Sequence, residues 1–575
     1  MRLRRQTDLA LLHPPSVYDF RRMLLLPRPI ADLVPSSSMF EMFPIGFSFL
    51  GEYLTRHGMS VRVANLAVRM LEEPAFDAAE FIARLEPRAF GIGFHWLPHA
   101  QGALATARIC KRLHPEVPVI MGGYSASIFH EELMEHPEVD YVVRGDSGEE
   151  PLLRLMRAIT DGGDVSDVPN LTYRDASGKV VSTEMSWVPA DLSHLGDNYL
   201  FMIRSAVRDA DPRGVRAFKG WWSHPVAAVL TVKGCTRGCT FCGGSASAMK
   251  SCFNRTGLAL RTPAEVASDL ASAASFTGGP IFVIGDIRQP GDDYAGEVLE
   301  RIGRSPVKNH VVFELFEPAG REFFAGVAAA LPNFDIELSP ESHDEAIRRA
   351  SGKHYSNAGI EETIAEALAA GCARFDLFFM IGLAGQDAAS VMDTVAWCDR
   401  LMAENGPRLN PLIGPLAPFL DPGSLVHEQA AERGYRLLLH TLDDHVQALL
   451  EPHWRDLLGY ETDWMSRQQI VDVTYLALRE LNKAKARHGR ITAARAKETE
   501  DFIDDSIMLL DRFDSVRAIE DEALRKRELA LLKQEADALA SRGELCKQDL
   551  AWPLAGPAFR YRSIARMLLK GRRAA

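Results

Sequence analysis

Two stretches of the chain alternate short apolar runs with helical patterns, and this alternation limits the fold more than any other feature. In the first, Leu9–Leu12 ends at His13-Pro14-Pro15, and Val61–Val63, Ala89–Phe94, Val117–Met121 and Val139–Val143 follow. Helical patterns separate them, one opened by Pro44-Ile45-Gly46 and carried to about Arg56, another over about Ala100–Leu113. Strands joined through helices run parallel, with helices over both faces of the sheet. Residues 1–163 are therefore expected to form a doubly wound, Rossmann-like α/β domain. Ser147 and Glu150 have capping-box spacing for the helix after the last strand. Residues 164–222 are turn-rich and read as a connector holding a small hairpin. A second alternation starts near Ala227, with Val229–Val232, Ile281–Ile284, Val311–Leu315, Ile336–Leu338 and Phe375–Ile381 as strands. Thr262, Pro263 and Glu265 open one of its helices. The repeat predicts a full or partial (β/α) barrel over 223–430. Beyond it Ala and Leu recur among many charges, so 431–575 reads as a mainly helical domain.

A chain of 575 residues is too long for a single core. Its net charge of −12 argues against nonspecific nucleic-acid binding, and no stable nucleic-acid partner is expected. No apolar run reaches the length of about 18 residues that spans a bilayer. After a basic start, Asp8 and prolines stand where a signal-peptide core would lie, and eight cysteines are too sparse for a disulfide scaffold. The expected location is cytoplasmic.

The second alternation also carries the chemistry. Cys235, Cys239 and Cys242 follow its first strand at i, i+4 and i+7, among Gly234, Gly238, Gly243 and Gly244. Loops at this end of an α/β sheet hold ligands. Three thiolates on a cluster of four irons leave one iron open to chelate amino and carboxylate groups. A zinc site prefers CxxC pairs or nearby histidines, and here it would need Cys252 as a fourth ligand. Cys110, Cys372, Cys398 and Cys546 read as buried thiols.

A CxxxCxxC triplet at the start of a barrel, with Phe241 before its last cysteine, resembles the radical S-adenosylmethionine superfamily. The resemblance implies a 4Fe-4S cluster on the triplet that reduces S-adenosylmethionine and releases a 5′-deoxyadenosyl radical. It also implies an external one-electron reductant of flavodoxin or ferredoxin type. Ile336–Ser342 looks like the family's fourth strand, which would place Ser339 and Glu341 by the ribose or methionyl part of the cofactor. Phe378–Gly385 looks like its late Gly-rich strand end, which would place Gly382 near the adenine. Asp286 stands where many members have a Gly-Gly-Glu turn for the methionine amino group. Phe241 completes the implied S-adenosylmethionine contacts. Helix capping by Glu341 and a plain turn at Gly382 are the structural alternatives.

Residues 8–160 are similar to the cobalamin-binding domain that precedes the barrel in one large class of that superfamily. The matching segments are His13–Ser16, Pro44–Gly46, Val119–Gly123 with Ser125 and Ser127, and Val142–Asp146. They imply cobalamin contacts from Gly122, Gly123, Ser125, Ser127 and Gly145, where glycine lets backbone approach a flat macrocycle. The Asp-x-His-x-x-Gly loop that supplies a histidine to cobalt is replaced by His13-Pro14-Pro15, and His194 in the connector has the wrong spacing. No such histidine is assigned. His95, after the third strand, would line the lower face of the corrin or simply cap and pack. The commonest chemistry of this class is methylation of an unactivated carbon, here of a small-molecule or lipid substrate. One alternative is radical cyclisation, C–C bond formation or rearrangement, with cobalamin auxiliary or absent. Another is a cobalamin sensor without turnover, against which the intact triplet speaks. Basic residues from Lys483 to Lys497 read as a solvated helix face. The last residues interleave Arg560, Arg562, Arg566, Lys570, Arg572 and Arg573 with apolar side chains. Such a tail suits either peripheral contact with an anionic membrane or a docking helix.

Overall fold

The computed structural model describes residues 7–27, 45–214, 216–416, 419–542 and 552–570; Pro44, Cys546, Arg572 and Arg573 lie outside them. Strand β1 (Thr7–His13) buries Leu9–Leu12 in the first core. Strands β2 (Val61–Asn65), β3 (Pro87–Gly93), β4 (Val119–Gly122) and β5 (Tyr141–Val143) lie parallel with it in the order β2-β1-β3-β4-β5. The order reverses between β1 and β3, and a doubly wound sheet opens its ligand crevice at such a switch point, beyond the strand carboxyl ends. The hairpin of β6 (Leu171–Arg174) and β7 (Val180–Ser182) pairs antiparallel with β5, so this sheet continues past residue 163.

Ser147 and Glu150 do not form the expected capping box. Helix Glu149–Asp161 begins after Gly148 without a side-chain cap. Ser147 Oγ and Glu149 Oε1 instead accept from the Lys233 ammonium, each at 3.1 Å, while Glu150 accepts from the Tyr53 hydroxyl at 2.9 Å.

The second unit is a parallel six-stranded sheet ordered β8 (Ala227–Leu230), β11 (Ile281–Ile284), β12 (Val311–Leu315), β13 (Phe334–Glu341), β14 (Arg374–Ile381), β15 (Leu409–Pro415). Strands β8 and β15 are its edges, so the barrel is partial. A short ribbon, β9 (Val232–Lys233) with β10 (Ala259–Leu260), lies beside it. Helix Pro263–Phe276 starts with the predicted Thr262/Glu265 capping box and Pro263 in its first turn.

The C-terminal region braces both units. Strands β16 (Tyr435–Leu437) and β17 (Tyr460–Thr462) pair antiparallel, and helix Leu442–Ala448 packs on Ala100–Leu113 of the first unit. Helices Arg467–Arg487, Ala493–Arg517 and Glu522–Arg542 follow, the first lying on helix Ala388–Asn405 and β15. The basic face expected there is neutralised by pairs such as Lys483–Glu480, Arg487–Asp399 and Lys497–Asp501. The last segment returns to the barrel, where the Arg374 guanidinium lies over the Trp552 ring at 4.3 Å and the Phe282 ring is 5.0 Å away. Helix Tyr561–Lys570 packs Ile564, Met567 and Leu568 onto the core beside helices Asn198–Arg208 and Pro263–Phe276. That packing covers part of the helix's apolar face, while Tyr561 and Leu569 stay exposed, and it supports the docking-helix alternative. Among the described residues no helix is long and apolar enough to cross a membrane.

Two buried ion pairs join the units at the carboxyl ends of their strands. Arg255, with a side chain 3% exposed, meets Asp146 at 1%, and Arg255 Nη1 also donates to the Pro189 carbonyl at 3.0 Å. Lys233 meets Glu149, whose other oxygen lies 3.6 Å from His194 Nε2. Burial opposes charge on Glu149, yet Lys233 and His194 together hold its carboxyl down to about 2. Arg255→Leu strands a buried carboxylate and should lower stability by about 3–5 kcal/mol in denaturant melts. A loss under about 1 kcal/mol would show that water reaches the pair. Because the folded pKa of Glu149 is depressed, its pair stabilises the protein above the free carboxylate value of about 4.3. That contribution should vanish as pH falls toward about 2, and Glu149→Gln should flatten this part of the stability–pH curve.

Candidate active site

A cavity of about 690 Å³ lies between the strand carboxyl ends of the two units. Cys235, Cys239 and Cys242 line it from the loop after β9. The loop is fixed from several sides. Cys235 Sγ accepts from the Arg237 N–H and Cys242 Sγ from the Gly244 N–H, both at 3.3 Å. The Thr240 N–H donates to the Ser351 carbonyl at 3.1 Å, and a Cβ on Gly352 (φ +86°) would fall 2.3 Å from the Gly238 carbonyl oxygen. Asp421, from the segment after β15, accepts from the Gly243 N–H at 3.0 Å and from the Trp96 indole of the first unit.

Burial pushes all three thiols up, Cys242 to about 12 with the Asp421 carboxylate adding to the effect. Arg237 opposes the shift at Cys235 and Lys353 opposes it at Cys239. Three crowded thiols become thiolates when a metal-bearing group supplies positive charge, so the donor set fits an iron–sulfur cluster. Among the described residues no three His, Cys, Asp or Glu side chains converge to hold a single metal ion. Cys252 does not line the cavity; a Cβ on Gly423 would fall 2.4 Å from its Sγ.

Phe241, Ser339 and Glu341 line the same cavity. Glu341 sits in the left-handed region at φ +68°, a conformation that costs about 1–3 kcal/mol outside glycine. Its Oε1 accepts from Lys353 Nζ at 2.5 Å, while its buried Oε2 has no hydrogen-bond partner among the described residues. Burial pushes the carboxyl up and the Lys353 ammonium works against that rise. An open buried acceptor beside the thiols fits a polar ligand of S-adenosylmethionine type.

The other two implied contacts lie elsewhere. Asp286 is buried away from the lining, with its carboxylate on the Arg288 guanidinium at 2.6 Å and on the Phe316 N–H at 2.9 Å. Gly382 is covered by Tyr460, whose hydroxyl lies 2.6 Å from a Cβ built there, and its N–H donates to Gln386 Oε1. The barrel's cavity edge has instead Glu314, which accepts from the Gly285 N–H at 3.1 Å and is pushed up by burial. Gln289 and Lys353 also line it, and Gln289 Nε2 is buried with no hydrogen-bond partner among the described residues. Glu314 carried a signal, being the charged residue inside the apolar run Val311–Leu315. Lys353 and Gln289 carried none.

Gly122, Gly123, Gly145 and His95 line the opposite wall. Ser125 and Ser127 are buried behind it, where Ser127 Oγ donates to the Gly123 carbonyl at 2.8 Å and accepts from the Gly145 N–H at 2.9 Å. The hydroxyl thus ties two glycine turns together. Gly123 has φ +122°, and a Cβ there would fall 2.5 Å from His95 Cα. A Cβ on Gly122 meets nothing closer than the Val143 carbonyl oxygen at 3.6 Å. The bare wall over Gly122 is a cradle that a side chain would fill, which fits a large flat cofactor.

Replacing all three cysteines with alanine should remove iron and the cluster's visible absorbance from anaerobically reconstituted protein. Gly122→Leu should lower bound cobalamin at unchanged melting temperature, whereas Gly123→Ala should destabilise the fold itself by about 1–3 kcal/mol. Equal melting losses for both glycine variants would contradict the cradle.

Residues 33–155 match the B12 binding domain family and residues 229–398 the Radical SAM superfamily. A hopanoid C-3 methylase of Methylococcus capsulatus is 24% identical over 331 residues, covering 53% of this chain and 58% of its own length. The chain thus matches little more than half of that curated relative. Among solved structures, the radical S-adenosylmethionine methyltransferase TsrM of Kitasatospora setae superposes with a TM-score of 0.57 at 18% identity, over 85% of this chain and 90% of that one. The cobalamin-dependent S-adenosylmethionine radical enzyme OxsB superposes with a TM-score of 0.54 at 11% identity, over 99% of this chain and 81% of that one. The two domain types take, respectively, cobalamin and a 4Fe-4S cluster with S-adenosylmethionine. The chain therefore carries a B12 binding domain ahead of a domain of the Radical SAM superfamily.

Proposed function

We propose that this protein is a cobalamin-dependent radical S-adenosylmethionine methyltransferase that modifies an unactivated carbon of a small, largely apolar or lipid substrate. The observation that carries this reading is the single cavity, with three thiols on one wall and the glycine cradle on the other. When bound, the cluster, S-adenosylmethionine and cobalamin supply radical hydrogen abstraction and methyl donation. The chain's own residues set the conditions. Lys353 balances the Glu341 carboxylate at the cavity edge, and Glu314 places a second carboxylate close by. Phe47, Phe49, Leu50, Met121, Leu230 and Ile284 give the remaining wall an apolar, water-poor character. Thr236 and Gly238 of the cysteine loop are exposed, which leaves an outward side for a flavodoxin- or ferredoxin-like reductant. The apolar lining and the likeness to a hopanoid C-3 methylase support a lipid substrate over a charged one.

The test is turnover of the anaerobically reconstituted full chain with methyl-deuterated S-adenosylmethionine, a reductant and a bacterial nonpolar lipid fraction. The expected result is a lipid carrying the labelled methyl group, with 5′-deoxyadenosine and S-adenosylhomocysteine formed together. Deoxyadenosine formed with a rearranged product and no S-adenosylhomocysteine would overturn methyl transfer.

A further inference from the structure

The cradle leaves one group of side chains without a role. His13, at the end of β1, and His95 and His99, after β3, meet at the switch point of the first sheet. Their ring centroids are 5.8 Å apart for His13 and His95, 5.2 Å for His13 and His99, and 4.9 Å for His95 and His99. His13 and His99 are fully buried. Both ring nitrogens of His13 and Nδ1 of His95 are buried with no hydrogen-bond partner among the described residues. Buried polar atoms ordinarily find partners, and a cluster of imidazoles tilted against one another is a poor substitute for an apolar core. An arrangement so costly, placed where the fold opens its ligand crevice, needs a use.

His95 differs from its two neighbours in lining the cavity. Its backbone stands directly against Gly123, next to the bare wall over Gly122. A neutral imidazole keeps a lone pair on one nitrogen and is the form that binds metals.

We propose that His95 is the protein's axial nitrogen donor to the cobalt of cobalamin seated on the Gly122–Gly123 wall, with His13 and His99 as positioning residues that fix its ring. The inference rests on the cobalamin reading and goes beyond it. It also explains how the chain does without the Asp-x-His-x-x-Gly loop: the donor would come from the loop after β3, with the β1 loop supplying a packing partner.

The experiment uses the full chain loaded anaerobically with hydroxocobalamin, its cobalt content measured, then reduced to the cobalt(II) form for electron paramagnetic resonance. Protein grown with natural histidine should show triplet splitting of the cobalt hyperfine lines, and protein grown with nitrogen-15 histidine should show doublets. His95→Ala should abolish the splitting while retaining cobalt, whereas His13→Gln should keep the splitting and shift the cobalt hyperfine constant. Lines without nitrogen splitting, or a triplet unchanged by labelling and therefore due to the cofactor's own base, would overturn the proposal with cobalamin binding intact. Absence of cobalt from the loaded protein would overturn the proposal and the cobalamin reading together. The labelled wild-type comparison decides the matter even if a variant does not fold.

Discussion

The Arg255–Asp146 pair, with Lys233–Glu149 beside it, is the constraint on which the rest of the structure depends. Each pair takes one residue from the segment that follows β5 in the first unit, Asp146 or Glu149, and one from the start of the barrel, Arg255 or Lys233. Charges this deeply buried tolerate little displacement, because losing one partner leaves the other uncompensated. The two parallel sheets are therefore held with their carboxyl ends facing each other. Strand carboxyl ends are where such sheets place their ligand loops, so the two sites share one cavity. The C-terminal region reinforces this through helix Leu442–Ala448 on the first unit and Arg467–Arg487 on the barrel.

Inside that cavity, polarity is distributed unevenly. The thiols, Glu341 with Lys353, Glu314 and Gln289 all belong to the barrel, and the first unit adds the glycine wall, His95 and the carboxylates Asp146 and Glu149, which are paired with Arg255 and Lys233. Glu341 Oε2 and Gln289 Nε2, without hydrogen-bond partners among the described residues, lie on the same side as the thiols, and the carboxylates of the first unit are already paired. Water exclusion by the apolar side chains of the lining protects a reactive radical from side reactions.

Much of this was legible in the chain because it is local. The cysteine triplet sits on one loop, the strand-ending glycines are read from their neighbours, and the Thr262/Glu265 capping box formed where it was expected. What failed was decided by distant partners. Ser147 and Glu149 turned to Lys233 in place of a helix cap, and the hairpin after residue 163 found β5. Asp286 was taken by Arg288, and Gly382 was covered by Tyr460 from a region without any catalytic pattern. Lys353 reaches Glu341 through a turn whose sequence announces nothing. The three histidines meet because β1 and β3 are neighbours in the sheet while β2 lies outside them, a fact of topology that no local spacing shows.

The central claim is that one cavity holds both metal cofactors, the cluster on the cysteine loop and cobalamin on the opposite glycine wall. Anomalous diffraction from anaerobic crystals of the loaded protein, recorded at the iron and cobalt absorption edges, tests it most directly. The account predicts an iron peak bounded by Cys235, Cys239 and Cys242, and a cobalt peak in the same cavity over Gly122 beside His95. A cobalt peak outside this cavity, or an iron peak away from the three thiols, would contradict it.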